Sequence, residues 1–171
     1  MLLFEKTTHP CDQTVKSLVV YYSRTGVTKF VAQTIAAELG SDIEEVVDMK
    51  NRAGKLGWML AGRDGMQGKE TQIAPATKKP ADYDLVIVGT PIWAWSPAAA
   101  IRTYLGKNSL SGKKVALFFT LDSGLRQAVE KTKALAPGAD FVGELALVKA
   151  LDNKEETEKK IGEWCSTLKI A

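Results

Sequence analysis

Three short stretches carry residue types able to hold a ligand. Ser23-Arg24-Thr25-Gly26-Val27-Thr28 sets three hydroxyls and one glycine directly ahead of a helical pattern. Open backbone N–H groups at a helix N-terminus, with the helix dipole, attract an anion, and hydroxyls add further donors. Gly26 lets the backbone approach such an anion closely. The same composition also makes a well-capped strand-to-helix turn, so the loop alone leaves both readings open. Gly89-Thr90-Pro91-Ile92-Trp93-Ala94-Trp95-Ser96-Pro97 puts two indoles in a short loop, where exposure wastes their burial energy unless they stack on a planar ligand. Trp95 has a second reading, as a side chain packed beneath the helix that follows. Thr120-Leu121-Asp122-Ser123-Gly124 is short and polar, able to hydrogen-bond the edge of a ring system or, through Asp122, to cap the next helix.

These loops follow short apolar runs. Leu18–Tyr22, Leu85–Val88, Val115–Phe119 and Leu145–Val148 lack polar alternation, which marks strands buried on both faces of a parallel sheet. Residues 43–47 carry acids around their apolar positions and read as an edge strand. Helical patterns lie between. Val27, Val31 and Ile35 recur every four residues up to Gly40, and Ser96-Pro97 reads as a helix start. Leu125, Ala128, Val129, Thr132 and Leu135 form a stripe ending near Pro137-Gly138. Asp152 with Glu155 reads as a capping box, ahead of a helix that buries Ile161, Trp164, Cys165 and Leu168. Alternating strands and helices predict a doubly wound α/β fold: a five-stranded parallel sheet in a three-layer α/β/α sandwich. Ligands of such folds sit at the carboxyl ends of the strands, where the three loops lie.

Composition narrows the chemistry. The chain has 171 residues and a formal net charge of +3, with 45% hydrophobic and 25% charged residues, which suits one globular domain over residues 17–171 behind an N-terminal extension of residues 1–16. That balance argues against a nucleic-acid binder, and no apolar run approaches a membrane span. Cys11 and Cys165 make no disulfide framework or zinc cluster, and His9 is the only histidine. A soluble, cytoplasmic protein of a reducing compartment is expected. The loop after the first strand lacks both G-x-x-x-x-G-K-[ST] and G-x-G-x-x-G, which excludes the P-loop and the dinucleotide fingerprint.

Taken together, the residues resemble the flavodoxin-like family. Ser23-Arg24-Thr25-Gly26-Val27-Thr28 matches its [TS]-x-T-G-x-T phosphate loop, and Gly89-Thr90-Pro91-Ile92-Trp93 looks like the loop whose Trp stacks on FMN. The resemblance covers about residues 17–170 and implies strand order 2-1-3-4-5. It also implies that Ser23, Thr25, Gly26 and Thr28 hold the FMN phosphate, with backbone contacts from Arg24 and Val27. Thr90, Trp93 and Ala94, in a loop with Pro91, Ile92 and Trp95, would border the flavin ring, and Thr120, Leu121, Asp122, Ser123 and Gly124 its pyrimidine side. The function implied is electron carriage to a redox partner protein or a small electron acceptor. An NAD(P)H- or quinone-linked oxidoreductase is the alternative, and a non-redox binder of another phosphorylated ligand is a third reading.

Three departures from the family pattern stand out. Ala94 follows Trp93 where a Gly is usual, and Ala resists φ > 0, which weighs against one-electron chemistry. No aromatic stands in Leu121-Asp122-Ser123 to cover the second flavin face. Residues 50–80 carry a net +5 on a remainder of −2, unlike an acidic carrier, and suggest docking of an acidic partner or anionic substrate. Within that segment Trp58 reads as a core anchor.

Overall fold

A computed structural model describes residues 15–168. Its elements are β1 (Ser17–Tyr21), α1 (Val27–Leu39), β2 (Asp42–Glu45), α2 (Gly54–Met66), β3 (Leu85–Trp93), β4 (Ser96–Pro97), α3 (Ala99–Lys107), β5 (Lys114–Leu121), α4 (Ala128–Lys133), β6 (Asp140–Val148) and α5 (Lys154–Thr167). The strands run β2-β1-β3-β5-β6, all parallel, with β4 pairing antiparallel to β3 off that path. This is the expected doubly wound order, with one short strand added.

Alternation along β1, β3 and β5 divides the core into two layers. Leu18, Val20, Val86, Val88, Leu117 and Phe119 pack with Ile101 and Tyr104 of α3. Val19, Tyr21, Ile87, Ala116 and Phe118 pack with Val31 and Ile35 of α1 and with Ile161 and Trp164 of α5. Gly40 ends α1 in the left-handed conformation expected of a glycine cap.

Several elements differ from the sequence expectation. Ser96-Pro97 does not start a helix: it forms β4, and α3 begins at Ala99. The cap of α5 falls one residue later, where the Asn153 side chain accepts from Glu156 N–H at 3.1 Å. The Leu145–Val148 run belongs to an edge strand, and Val148 is exposed, because no strand among the described residues pairs beyond β6. Residues 1–14 of the expected extension, with His9 and Cys11, lie outside the described residues. Lys16 is already joined to the sheet: its carbonyl accepts from Asp84 N–H and its N–H donates to Asp84 Oδ2 at 2.9 Å.

Helix α2 departs furthest from the usual amphipathic design. Its buried residues are Gly57, Ala61, Asp64 and Gly65, while Leu56, Trp58, Met59 and Met66 are exposed. Small residues four apart form its contact face. A Cβ on Gly57 would stand 2.1 Å from the Arg52 carbonyl carbon, and one on Gly65 would stand 2.7 Å from the Trp93 carbonyl oxygen. The backbone of α2 therefore lies directly on the β2–α2 loop and on the end of β3. Trp58 is no core anchor, and its indole is 61% exposed.

Candidate functional site

The carboxyl ends of β1, β3, β5 and β6 converge on one cavity of about 320 Å³. Arg24, Thr25, Val27 and Thr28 line it from the first loop, Pro91, Ile92 and Trp93 from β3, and Thr120, Leu121 and Asp122 from β5 and the residue after it. Ten of the expected residues are thus brought together by the topology. At the base, Thr28 Oγ1 and Thr120 Oγ1 lie 2.7 Å apart and buried, joining α1 to β5. Gly26 caps α1 at φ 91°, with open space where a Cβ would stand, and its N–H donates to Ser23 Oγ at 3.1 Å. The following N–H groups belong to the first helical turn, which has no preceding carbonyl to accept them.

Trp93 stands edge-on to Tyr22, with centroids 5.7 Å apart. Burial, then the charge of Asp48, raises the Tyr22 hydroxyl to about 12, so the phenol stays neutral and serves as a rigid wall. Residues 149–152, including Lys149 and Asp152, close the cavity from the loop after β6, and Trp58 closes it from α2. The sequence reading missed both. The β6 loop lies at the carboxyl end of a strand, the signal that singled out the other three loops.

Six expected residues lie elsewhere. Ala94, Trp95, Ser123 and Gly124 line a second, adjoining cavity of about 570 Å³, together with Met59, Gly62, Arg63 and Met66. Trp58, Ile92, Trp93, Leu121 and Asp122 line both cavities. Ser23 borders a smaller polar depression beside Lys50 and Arg52. Thr90 faces inward and is fully buried. Its hydroxyl accepts from Ala98 N–H and donates to the Pro91 carbonyl, both at 3.0 Å, so it fastens the turn and borders neither cavity.

The turn itself corrects the expectation for Ala94. Ile92 pairs with Pro97 and Trp93 with Ser96, leaving Ala94 and Trp95 as a two-residue hairpin loop. Their φ angles are 47° and 56°. Such a loop demands left-handed backbone at both positions, a geometry that Asn-Gly provides easily and Ala-Trp does not. The pairing of β3 with β4 therefore holds Ala94 in the region that its side chain disfavours. Ala94→Gly should relieve part of this strain and stabilise the protein by about 0.5–1 kcal/mol after the added unfolded-state entropy of glycine. Urea unfolding checks this, and an unchanged or lower midpoint would contradict the strain.

The basic surplus of residues 50–80 is only partly at the surface. Arg52 is buried between Asp48 and Asp64, and Lys50 reaches Asp64 at 3.3 Å. Lys55, Arg63 and Lys69 remain exposed. Cys165 takes no part in the site: burial, and then the charge of Glu38, push its thiol up to about 11, which keeps it protonated and unreactive. Among the described residues no cluster of His, Cys, Asp and Glu fits a metal ion, and no helix is long and apolar enough to cross a membrane.

A doubly wound sheet with a hydroxyl-lined helix N-terminus and an indole at its carboxyl edge defines a binder of a phosphorylated, ring-bearing ligand. The chain belongs to the flavodoxin family, whose model, described as Flavodoxin, matches residues 16–168. No curated protein matches it significantly. Among solved structures it is similar to a flavoprotein in complex with FMN from Lactobacillus acidophilus NCFM, at 25% identity and TM-score 0.67, over 88% of this chain and 98% of that one. A protein assigned as a flavoprotein from Bacteroides uniformis ATCC 8492 superposes at TM-score 0.76 with 24% identity, covering 89% and 98% of the two chains. Oxidised flavodoxin 2 from Bacillus cereus gives TM-score 0.58 at 20% identity, covering 90% and 97%.

Proposed function

We propose that this protein binds FMN and works as an FMN-dependent oxidoreductase on a small molecule. The observation that carries the redox reading is the single cavity joining the Thr25–Thr28 cradle to the Trp93 indole. The groups present suit FMN. Hydroxyls, first-turn N–H groups and the open side of Gly26 accommodate a phosphate, and Arg24 and Lys149 add positive charge. An indole offers a flat apolar face for a ring, and Thr120 to Asp122 offer polar edges. The L. acidophilus relative, whose structure contains FMN, supports the same ligand.

Bound FMN supplies the electron chemistry, and this chain positions it, excludes water and sets its surroundings. Trp93, braced by Tyr22, limits tilting of a stacked ring. The buried Thr28–Thr120 pair keeps the phosphate end and the ring end of the cavity at a constant separation. The second cavity favours a small-molecule acceptor over pure carriage between proteins. It adjoins the first through Trp58 and Trp93 and is walled mainly by apolar side chains, so a compact reactant can reach the ring from there.

Thr25→Ala and Trp93→Ala should each weaken FMN binding by roughly tenfold or more, corresponding to about 1.4 kcal/mol or more of lost hydrogen bonding or stacking. Quenching of flavin fluorescence measures this. Unchanged affinity in both variants would remove the site assignment.

A further inference from the structure

The polar depression that Ser23 borders holds unused hydrogen-bond donors. It has a volume of about 280 Å³ and lies past the carboxyl ends of β1 and β2. Tyr22, Ser23 and Arg24 line it from the first loop, and Lys50, Asn51 and Arg52 from the loop leading into α2. Thr25, Val27 and Thr28 take no part in this lining, and Arg24 alone borders both it and the proposed flavin cavity.

Two nearly buried side chains stand here with polar atoms unmatched. Arg52 is 4% exposed, and its Nε and Nη1 are held by Asp48 and Asp64, while Nη2 is buried and meets no acceptor among the described residues. Tyr22 is 6% exposed, and no group among the described residues hydrogen-bonds its hydroxyl. Burial, before any other cause, pushes that phenol up to about 12, so it stays an O–H donor. A buried donor without an acceptor is costly, and a ligand oxygen removes the cost.

The neighbouring groups are donors as well. The Asn51 side-chain oxygen is taken by Ala53 N–H at 2.9 Å, which leaves its amide hydrogens open. Ser23 Oγ accepts from Gly26 N–H, which leaves its own hydrogen open. The acids on the lining are already engaged: Asp48 with Arg52, Thr71 and the Lys50 N–H, and Glu45 with Lys29 and the Tyr21 hydroxyl. Ala53 lies on the same lining, and the helix that follows it has no side-chain cap, so first-turn N–H groups add to the surplus. Free donors beside spent acceptors select an oxyanion. Arg, Tyr and Asn donors arriving from two loops suit a tetrahedral group better than a planar carboxylate.

We propose that this depression is a second anion site, which binds the phosphate group of a small molecule other than the flavin. Arg52 Nη2, the Tyr22 hydroxyl and the Asn51 amide hold its oxygens, and Arg24 and Lys50 supply positive charge beside them. The site goes beyond the flavin reading and does not rest on it.

Isothermal titration of the FMN-saturated full-length protein with inorganic phosphate, in a buffer free of other oxyanions, tests the site. One phosphate should bind per chain, sulfate should compete, and acetate should bind about tenfold more weakly. Asn51→Asp keeps the acceptor for Ala53 N–H and puts a negative oxygen where the open amide stood. It should weaken phosphate binding by about tenfold or more, while FMN affinity and the thermal midpoint stay as in the wild type. Tyr22→Phe keeps the ring and should weaken phosphate binding by roughly threefold to tenfold. Absence of saturable binding, unchanged phosphate affinity in both variants, or acetate binding as tightly as phosphate overturns the proposal. Release of FMN by phosphate also overturns it, since the probe would then occupy the first loop. If the chain binds no FMN, the flavin reading fails and the flavin-free protein still tests the site. Loss of phosphate binding in Asn51→Asp then upholds the second site, and loss in Thr25→Ala with Asn51→Asp unaffected overturns it.

Discussion

Arg52→Ala should destabilise the protein by about 3–5 kcal/mol, a large share of the 5–15 kcal/mol that folds a typical domain. The Arg52 side chain is 2% exposed, and its Nε donates to Asp48 Oδ2 at 2.6 Å while Nη1 lies 2.9 Å from Asp64 Oδ2. Asp48 also accepts from Thr71 Oγ1 at 2.8 Å and from Lys50 N–H at 2.9 Å. This network ties the end of β2, the loop after it, helix α2 and the segment following α2 into one unit. Removing the guanidinium would leave two buried carboxylates with only the exposed Lys50 and Arg63, both on Asp64, to balance them. Burial opposes the charge on Asp64, but Arg52 and Lys50 together hold its carboxyl below the ordinary value. A lowered pKa in the folded state adds stability that is complete above the ordinary carboxylate value near 4 and is lost as pH falls through the folded value. Urea titrations should therefore show stability falling below about pH 4, with Asp64→Asn flattening that decline. A loss under about 1 kcal/mol in Arg52→Ala would contradict the clamp, because that is the scale of an exposed ion pair.

Gly89→Ala should cost about 2–3 kcal/mol through overpacking. Gly89 lies in the central strand β3, opposite Phe118 of β5, and a Cβ there would stand 1.9 Å from Phe118 Cζ. Phe118 is fully buried between the sheet and the α1–α5 layer, so its ring cannot swing into solvent. The empty side of Gly89 is the space that the phenyl ring fills. Phe118→Leu shortens that ring, so the double variant should be less destabilised than the sum of the two single changes. Thermal unfolding of the four proteins gives the coupling. Additive losses would mean that the glycine is needed for a reason other than this contact.

The sheet was legible because each central strand is a short apolar run, and alternation within β1, β3 and β5 serves two helical layers at once. The Ser23–Thr28 segment was legible as a candidate anion cradle because the hydroxyls, the glycine and the helix start are consecutive. Three features were hidden by tertiary context. Ser96-Pro97 has the local chemistry of a helix start, yet pairing with Ile92 and Trp93 makes it a strand and forces Ala94 and Trp95 into left-handed backbone. Trp58 looks like a core residue by type, but Gly57, Ala61 and Gly65 set the contact face of α2 and leave the indole outside. Arg52 looks like part of a solvated basic run until Asp48, four residues before it, and Asp64, twelve residues after it, close around it. In each case the deciding partner is remote in sequence or present only as backbone.

The Thr90 hydroxyl shows the same limit within the site. Its place in the loop after β3 suggested a flavin neighbour, and its hydrogen bonds to the backbone at Pro91 and Ala98 make it a fastener of the turn that carries Trp93. Position in a loop indicated the region of the site, and side-chain direction decided the role.

The most direct test of the account is the binding of FMN by the purified full-length protein. Titration should show saturable quenching of flavin fluorescence at one FMN per chain, giving a yellow protein that releases FMN when denatured by heat or acid. A folded, colourless protein that leaves added FMN fluorescent and unbound would contradict the central claim.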